Sequence, residues 1–413
     1  MVNLYIINQK SKAAVYGIGT YIAELTAAIR KNDINIYVVH LNTEKPDGTL
    51  EESDDIRHLF IPPPTSQNST IDWNVKNYQY YRNVVYLLRL QIKNVENLVF
   101  QINYTQTSQL VEELKKSFDC KMVSVVHYSD WGIAIYDNLQ RLRTLLQDEN
   151  PDDFSKNLKN SVEEEMLSYS TVDRVVCLSN YMREVLIRDY KLDSKKISVI
   201  PNGLTDKAQT MTDRKILRKK WKITFKNKII FFAGRMEEIK GISYLIEAFR
   251  KVLSVYSNSR LVIAGEGEFS KYTKSAQDIC TKITFTGMLN KTQLYEWYRL
   301  ADVGVTPSLF EPFGYVTVEM MMHELPVVAT KTSGLNEVVD DNCGLKIPII
   351  THTDKVEIDA DLLAEKIMYL LQYPSEAKKM GKNGRKRYLT EYTTEVFRRN
   401  MLELYRSLFV SDI

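Results

Sequence analysis

Short apolar runs rich in valine, isoleucine and aromatic residues recur along the whole chain, with helical patterns between them. In the first half they fall at residues 2–7, 34–40, 98–102, 122–127, 174–178 and 197–200. In the second half they fall at 228–233, 260–264, 283–286, 303–306 and 327–329. Few alternate with period two, which is how strands buried on both faces of a parallel sheet read. Amphipathic segments such as 19–30 and 242–256 lie between them. Strand, helix and strand in succession require right-handed crossovers, so the chain is expected to form open α/β sheets.

The series restarts after Pro201-Asn202-Gly203, a strong turn signal. A length of 413 residues suits two domains, and the boundary is placed at Gly203. Two segments break the rhythm. Ile61-Pro62-Pro63-Pro64 and the polar residues up to Thr70 read as a loop. Residues 136–170 read as long polar helices broken near Pro151. Residues 394–408 form an amphipathic helix with Val396, Met401, Leu404 and Leu408 on one face.

Composition excludes several classes. With 44% hydrophobic and 26% charged residues the chain is neither disordered nor collagen-like. No apolar run approaches the roughly 18 residues of a membrane span. The start, Met1-Val2-Asn3-Leu4-Tyr5-Ile6-Ile7, enters a strand pattern at once, so no signal peptide is expected. The four cysteines (Cys120, Cys177, Cys280, Cys343) stand far apart and read as buried free thiols of a reducing, cytoplasmic setting. The five histidines show no metal-ligand spacing, and no metal is expected. Residues 1–203 carry 23 Lys and Arg against 26 Asp and Glu, leaving 32 against 26 in the remainder. Neither half is basic enough to take nucleic acid as its main partner. The eight cations between Arg214 and Lys228 read as a solvated helix face.

Doubly wound domains bind ligands at the carboxyl ends of their strands, and four motifs follow predicted strands. Tyr16-Gly17-Ile18-Gly19-Thr20-Tyr21 precedes a helix. Gly17 and Gly19 suit a tight turn or the close approach of a phosphate. The dinucleotide fingerprint is incomplete because Ile22 stands where its third glycine belongs. Gly234-Arg235 and Lys240-Gly241 follow the first strand of the second domain. Their two cations are either solvated or placed for a diphosphate, and the order is not that of a P-loop. The most specific stretch is Ser308-Leu309-Phe310-Glu311-Pro312-Phe313-Gly314-Tyr315-Val316-Thr317-Val318-Glu319. Pro312 and Gly314 impose a turn, a helix opens near Tyr315, and Glu311 and Glu319 flank its anion-attracting end. That arrangement suits a ligand with hydroxyls at both ends and phosphate in the middle, as in a nucleotide sugar. His127, in Val126-His127-Tyr128-Ser129-Asp130, ends a strand, as a structural histidine or a site residue. Asp359-Ala360-Asp361 is read as a helix cap, not a metal site.

Taken together these residues resemble a retaining glycosyltransferase of family 4, the glycosyl transferases group 1, with the GT-B fold. The resemblance runs over nearly the whole chain and is densest over residues 196–390. It is carried by Val199-Ile200-Pro201-Asn202-Gly203, Gly234-Arg235 with Lys240-Gly241, Ala264-Gly265-Glu266-Gly267, Phe285-Thr286-Gly287, Ala301-Asp302 and the pair Glu311/Glu319. It implies two Rossmann-like domains facing across a cleft. Residues 1–203 would bind the acceptor and 204–393 the nucleotide-sugar donor, with a C-terminal helix, 394–413, crossing back to the first domain. Arg235 and Lys240 would bind the donor diphosphate, Glu311 the sugar hydroxyls and Glu319 the ribose. The backbone at Phe313 and Gly314 would cradle the diphosphate. Gly234 before Arg235 and Tyr315 at the helix start belong to the same donor-binding set. The base would lie near Gly287, and Gly17 and Gly19 would close over the phosphates. His127 would stand near the reacting sugar. Tyr16, where a glycine often precedes the loop, and Tyr128-Ser129-Asp130, in place of a His-Asp pair, depart from the commonest pattern. Both bear on acceptor recognition more than on donor binding.

The expected activity is therefore metal-independent transfer of a sugar from a UDP- or GDP-linked donor to an acceptor hydroxyl, with retention. The acceptor is a glycan, a small molecule or a peptide. No cofactor is expected beyond this co-substrate, and nothing indicates membrane association. The competing readings are a nucleotide-sugar epimerase of similar fold and a non-catalytic partner protein that keeps the fold.

Overall fold

The computed structural model describes residues 1–9, 17–30, 32–45, 49–63, 73–208 and 212–410. Tyr16 and Pro64 to Thr70 lie outside the described residues. Contacts divide the chain into two units. The amino-terminal unit comprises Met1–Trp131, Leu145–Gly203 and Thr394–Ile413, and the carboxy-terminal unit Gly132–Thr144 and Leu204–Thr393.

In the amino-terminal unit the strands are β1 (Val2–Gln9), β2 (Ile34–Leu41), β3 (Thr49–Ser53), β4 (Ile56–Ile61), β5 (Leu98–Ile102), β6 (Lys121–Val126), β7 (Arg174–Cys177) and β8 (Ile197–Val199). They pair in the order β3-β4-β2-β1-β5-β6-β7-β8. All neighbours are parallel except β3 and β4. Strand β1 is buried from Val2 to Asn8 and β5 throughout, which is why both read as mainly apolar runs, interrupted by Asn3 and Gln101. The polar insertion forms the helix Leu139–Gln147, which counts with the carboxy-terminal unit as far as Thr144, and the helix Asp153–Thr171, capped by Asp152 beside Pro151. Of the tyrosines on the helix Trp73–Gln91, Tyr80 and Tyr81 are buried and Tyr78 and Tyr86 exposed.

The helix Thr394–Ser407 belongs to this unit. Phe397, Met401, Leu402, Leu404 and Tyr405 form its buried face. Phe397 meets the ring of Tyr21, on the helix Gly17–Ile29, at 5.5 Å. Thr394 donates to Glu24 at 2.9 Å, and Arg398 to Asn32 at 3.3 Å.

In the carboxy-terminal unit the strands are β9 (Lys228–Ala233), β10 (Ser259–Ala264), β11 (Ile283–Gly287), β12 (Val303–Thr306), β13 (Val327–Lys331), β14 (Gly344–Thr351) and β15 (Val356–Ile358). Their order is β11-β10-β9-β12-β13-β14-β15, parallel except for β14 and β15. Helices Ile242–Val255 and Ala360–Gln372 place Leu245, Phe249, Val252, Leu363 and Ile367 in one core with Phe232, Ile263 and Val305 of the sheet. Asp359 accepts from the backbone of Asp361 and Leu362, as a helix cap does.

Three expectations are corrected. Gly132–Thr144, which the boundary at Gly203 assigned to the first domain, belongs to the carboxy-terminal unit. Asn138 donates to the His352 carbonyl at 2.8 Å, Arg141 to that of Asp354 at 2.7 Å, and Asp137 accepts from Ser333 at 2.7 Å. Local patterning reports helix or strand but not which core a short segment joins. Strands β3, β4, β14 and β15 were not anticipated. They lie at or next to sheet edges, where one-sided burial and Pro348 blur the apolar run. Cys280 is exposed, whereas Cys177 and Cys343 are buried.

Candidate active site

In each sheet the strand order reverses at one point, and there the loops diverge to leave a crevice. In the carboxy-terminal unit that point lies between β9 and β12. The loop after β9 carries Arg235 and Lys240, and the loop after β12 carries Glu311. Gly241, at φ +68°, caps the helix Ile242–Val255, and a Cβ there would collide with the Pro307 carbonyl. Only glycine lets the two loops approach so closely. Leu309 N–H donates to the Ile239 carbonyl at 2.8 Å and seals the contact. Beside it Lys240 Nζ meets Glu311 Oε2 at 2.6 Å, both side chains largely buried. Ser308 donates to the same oxygen at 3.3 Å. Thr330 and Thr332, at and beyond the end of β13, donate to the Ser308 and Leu309 carbonyls at 2.5 and 2.7 Å. The carboxylate is thus held by a rigid loop.

Phe313 is buried between Tyr315 and Tyr392, with ring centroids 5.3 and 5.8 Å away. Gly314, at φ +99°, turns the chain into the helix Tyr315–Met322. The first-turn N–H groups of that helix form a positive end a few residues from Glu311. One turn further, Glu319 is only 1% exposed. Its Oε1 pairs with Lys291 and its Oε2 accepts from Tyr298 at 2.9 Å. Burial beside Glu319 pushes the Tyr298 hydroxyl well above its usual range. Arg235 pairs with Glu237 at 2.9 Å. Gly234, Gly265 and Gly287 draw three strand ends together: Gly265 donates to the Gly287 carbonyl at 2.9 Å, and a Cβ on Gly265 would collide with the Gly234 carbonyl.

In the amino-terminal unit the reversal lies between β1 and β5. Gly17 and Gly19 occupy the first turn of the helix that follows β1, and among the described residues nothing lies within 4 Å of where a Gly17 Cβ would sit. His127 follows β6, half-buried, its Nε2 at 3.2 Å from Asn103 Oδ1 and its ring against the edge of Tyr21 at 4.6 Å. Burial holds its imidazole down at about 3. Glu165, fully buried, accepts from the Asp130 N–H at 2.9 Å and from Tyr190, which anchors the His127–Asp130 loop. Burial, then the charge of Asp130, pushes its carboxyl up to about 8.

The expected residues therefore fall into two groups, one in each unit: Arg235, Lys240, Glu311 and Gly17 with Gly19 stand in the loops or helix starts at the reversal points, while His127 follows β6 and Gly287 ends β11. Lys240 contacts Glu311, and Phe313, Gly314 and Tyr315 follow in one rigid loop. Glu319 forms a separate cluster with Lys291 and Tyr298. Lys291, Tyr298, Asn103 and Glu165 stand in these clusters without belonging to any of the sequence motifs. Asn103 stands immediately after the apolar run of β5, the place where ligands bind, and that was a usable signal. Nothing local links Lys291 to a carboxylate 28 positions away.

Comparison with known proteins places this geometry in a family. Residues 15–207 match the family model described as Glycosyltransferase Family 4, and residues 213–387 the model described as Glycosyl transferases group 1. An uncharacterized glycosyltransferase of Methanocaldococcus jannaschii is 34% identical over 185 residues, 42% of this chain and 46% of that protein. The chain thus spans about half the length of the curated relatives it matches. The solved sucrose-phosphate synthase of Thermosynechococcus elongatus superposes with a TM-score of 0.76 at 21% identity, covering 99% of both chains. HepE of Anabaena, solved in complex with UDP and glucose, superposes with a TM-score of 0.71 at 15% identity, covering 98% of this chain and 100% of that one. With the two family models together running from residue 15 to residue 387, and two Rossmann-like sheets reversing where the motifs stand, the chain belongs to the group 1 and family 4 glycosyltransferases of GT-B fold.

Proposed function

We propose that the chain transfers a sugar from a UDP- or GDP-linked donor to an acceptor hydroxyl, with retention at the anomeric carbon and without a metal. The observation that carries the reading is the Lys240–Glu311 pair, at the reversal point of the sheet beside a helix N-terminus. Departure of a nucleoside diphosphate builds negative charge while the sugar becomes oxocarbenium-like. Lys240, Arg235 and the first turn after Gly314 are the groups that stabilise that charge. Glu311 holds the sugar hydroxyls, Gly287 lies by the base, and Gly17 and Gly19 serve the phosphates. His127 faces the reacting sugar. The ion pair with Lys240 makes the Glu311 oxygen a weak nucleophile. That favours front-face attack, in which the acceptor oxygen bonds to the anomeric carbon as the phosphate oxygen leaves and takes the acceptor proton. A glycan, a small molecule or a peptide is the acceptor. No described helix is long and apolar enough to cross a membrane.

The test is thermal melting with UDP, GDP, ADP and TDP, each with and without EDTA, then nucleotide release from the matching nucleotide sugars. A ligand at 100 times its Kd stabilises by ~2.7 kcal/mol, enough for several degrees. UDP comes first because HepE was solved with UDP and glucose. One nucleotide is expected to shift the midpoint regardless of EDTA. No shift with any of them overturns the donor reading, and EDTA sensitivity overturns the metal-free part.

Lys291 gives a sharper expectation. Its ammonium covers Glu319 Oε1, the carboxylate assigned to the ribose. A diol reaches that oxygen only when Lys291 moves away, breaking an ion pair exposed on the lysine side. Such pairs are worth about 0.2–1 kcal/mol, so Lys291→Ala is expected to tighten uridine or guanosine binding up to about fivefold by calorimetry. Weaker nucleoside binding would mean that Lys291 contacts the ligand instead of covering the site.

A further inference from the structure

A buried chain of side-chain amides and hydroxyls runs from the C-terminal helix to His127. Tyr405, fully buried on the helix Thr394–Ser407, donates to Gln101 Oε1 at 2.5 Å. Gln101, on β5 and fully buried, donates from Nε2 to Asn103 Oδ1 at 3.2 Å and to Tyr21 Oη at 3.4 Å. Asn103, also fully buried, donates from Nδ2 to the Ile7 carbonyl at 3.4 Å, and its Oδ1 lies 3.2 Å from His127 Nε2.

The direction of every bond follows from one group that can only accept. A backbone carbonyl has no proton to give. The Ile7 carbonyl therefore fixes the Asn103 amide with its nitrogen toward β1 and its oxygen toward Gln101 and His127. That oxygen accepts from both, so Gln101 presents its nitrogen to it and its oxygen to Tyr405. By the same logic His127 presents N–H at Nε2. The proton is assigned by the network, as it must be for any histidine.

We propose that Asn103, oriented by Ile7 and locked by Gln101 and Tyr405, is a positioning residue that holds His127 as the neutral Nε2–H tautomer. Nδ1 is then the acceptor the ring offers to a ligand hydroxyl. His127 thus acts as a fixed neutral acceptor and not as a proton-shuttling imidazolium. Burial acts in the same direction, since it disfavours the charged ring. Among the described residues the ring meets Asn103 and Tyr21, neither of them charged, and burial keeps the Tyr21 hydroxyl protonated. The assignment to a ligand hydroxyl rests on the transferase reading; the tautomer does not.

The experiment is long-range ¹H–¹⁵N NMR of the full chain labelled at histidine, with the His127 signals assigned from a His127→Gln sample. The wild type is expected to show the Nε2–H tautomer with no titration between about pH 5 and 8. In Asn103→Asp, a carboxylate beside the ring favours imidazolium. A His127 titration is then expected inside that window, with nucleotide release from the donor changing about tenfold across it. An Nδ1–H tautomer in the wild type, or a wild-type titration near the free value of about 6.5, overturns the proposal whether or not any variant folds. If no donor is turned over, the transferase reading fails while the NMR result still decides the tautomer.

Discussion

Replacing Lys240 with methionine is expected to lower the rate of nucleotide release from the donor about 10²–10³-fold, the usual cost of removing one group that stabilises developing charge. Methionine keeps most of the packing of the lysine stem, and Glu311 keeps its hydrogen bond from Ser308. Folding is therefore expected to survive, and a circular dichroism melt checks it. The loss should fall on kcat more than on KM, because the charge that Lys240 meets is larger in the transition state than in the bound donor. Lys240→Arg restores the charge without the geometry that Gly241 and Pro307 impose, and is expected to recover only part of the rate. A Lys240→Met enzyme within threefold of the wild-type rate would remove the pair from the mechanism.

Phe397→Ala is expected to destabilise the amino-terminal unit by about 3–5 kcal/mol, the cost of emptying a buried aromatic site. Phe397 is 1% exposed and packs edge-on against Tyr21, which in turn meets the ring of His127. At about 2–4 °C per kcal/mol for a unit of this size, its melting transition should fall by roughly 6–20 °C. Calorimetry of the full chain resolves this, because the carboxy-terminal unit has its own core and its transition should stay in place. A shift below about 3 °C would show that the helix is peripheral to that core.

What was legible in the sequence was whatever local chemistry encodes. Strands buried on both faces advertise themselves as apolar runs, so β5, β9 and β12 were read at their observed bounds. Glycines that must take positive φ, such as Gly241 and Gly314, stand out because no other residue fits the turn they make. A reversal point in a doubly wound sheet gathers the ends of particular strands, so motifs placed after those strands indicate a site. Tertiary structure alone decided the rest. It paired Lys240 with Glu311 and Lys291 with Glu319 across 71 and 28 positions, and brought Tyr405 to Gln101 across 304. It also placed Gly132–Thr144 in the carboxy-terminal unit. The reason is physical. Backbone preferences and burial patterns are properties of a few neighbouring residues. The charge, tautomer and accessibility of a side chain are set by groups that only the folded chain brings within hydrogen-bond distance.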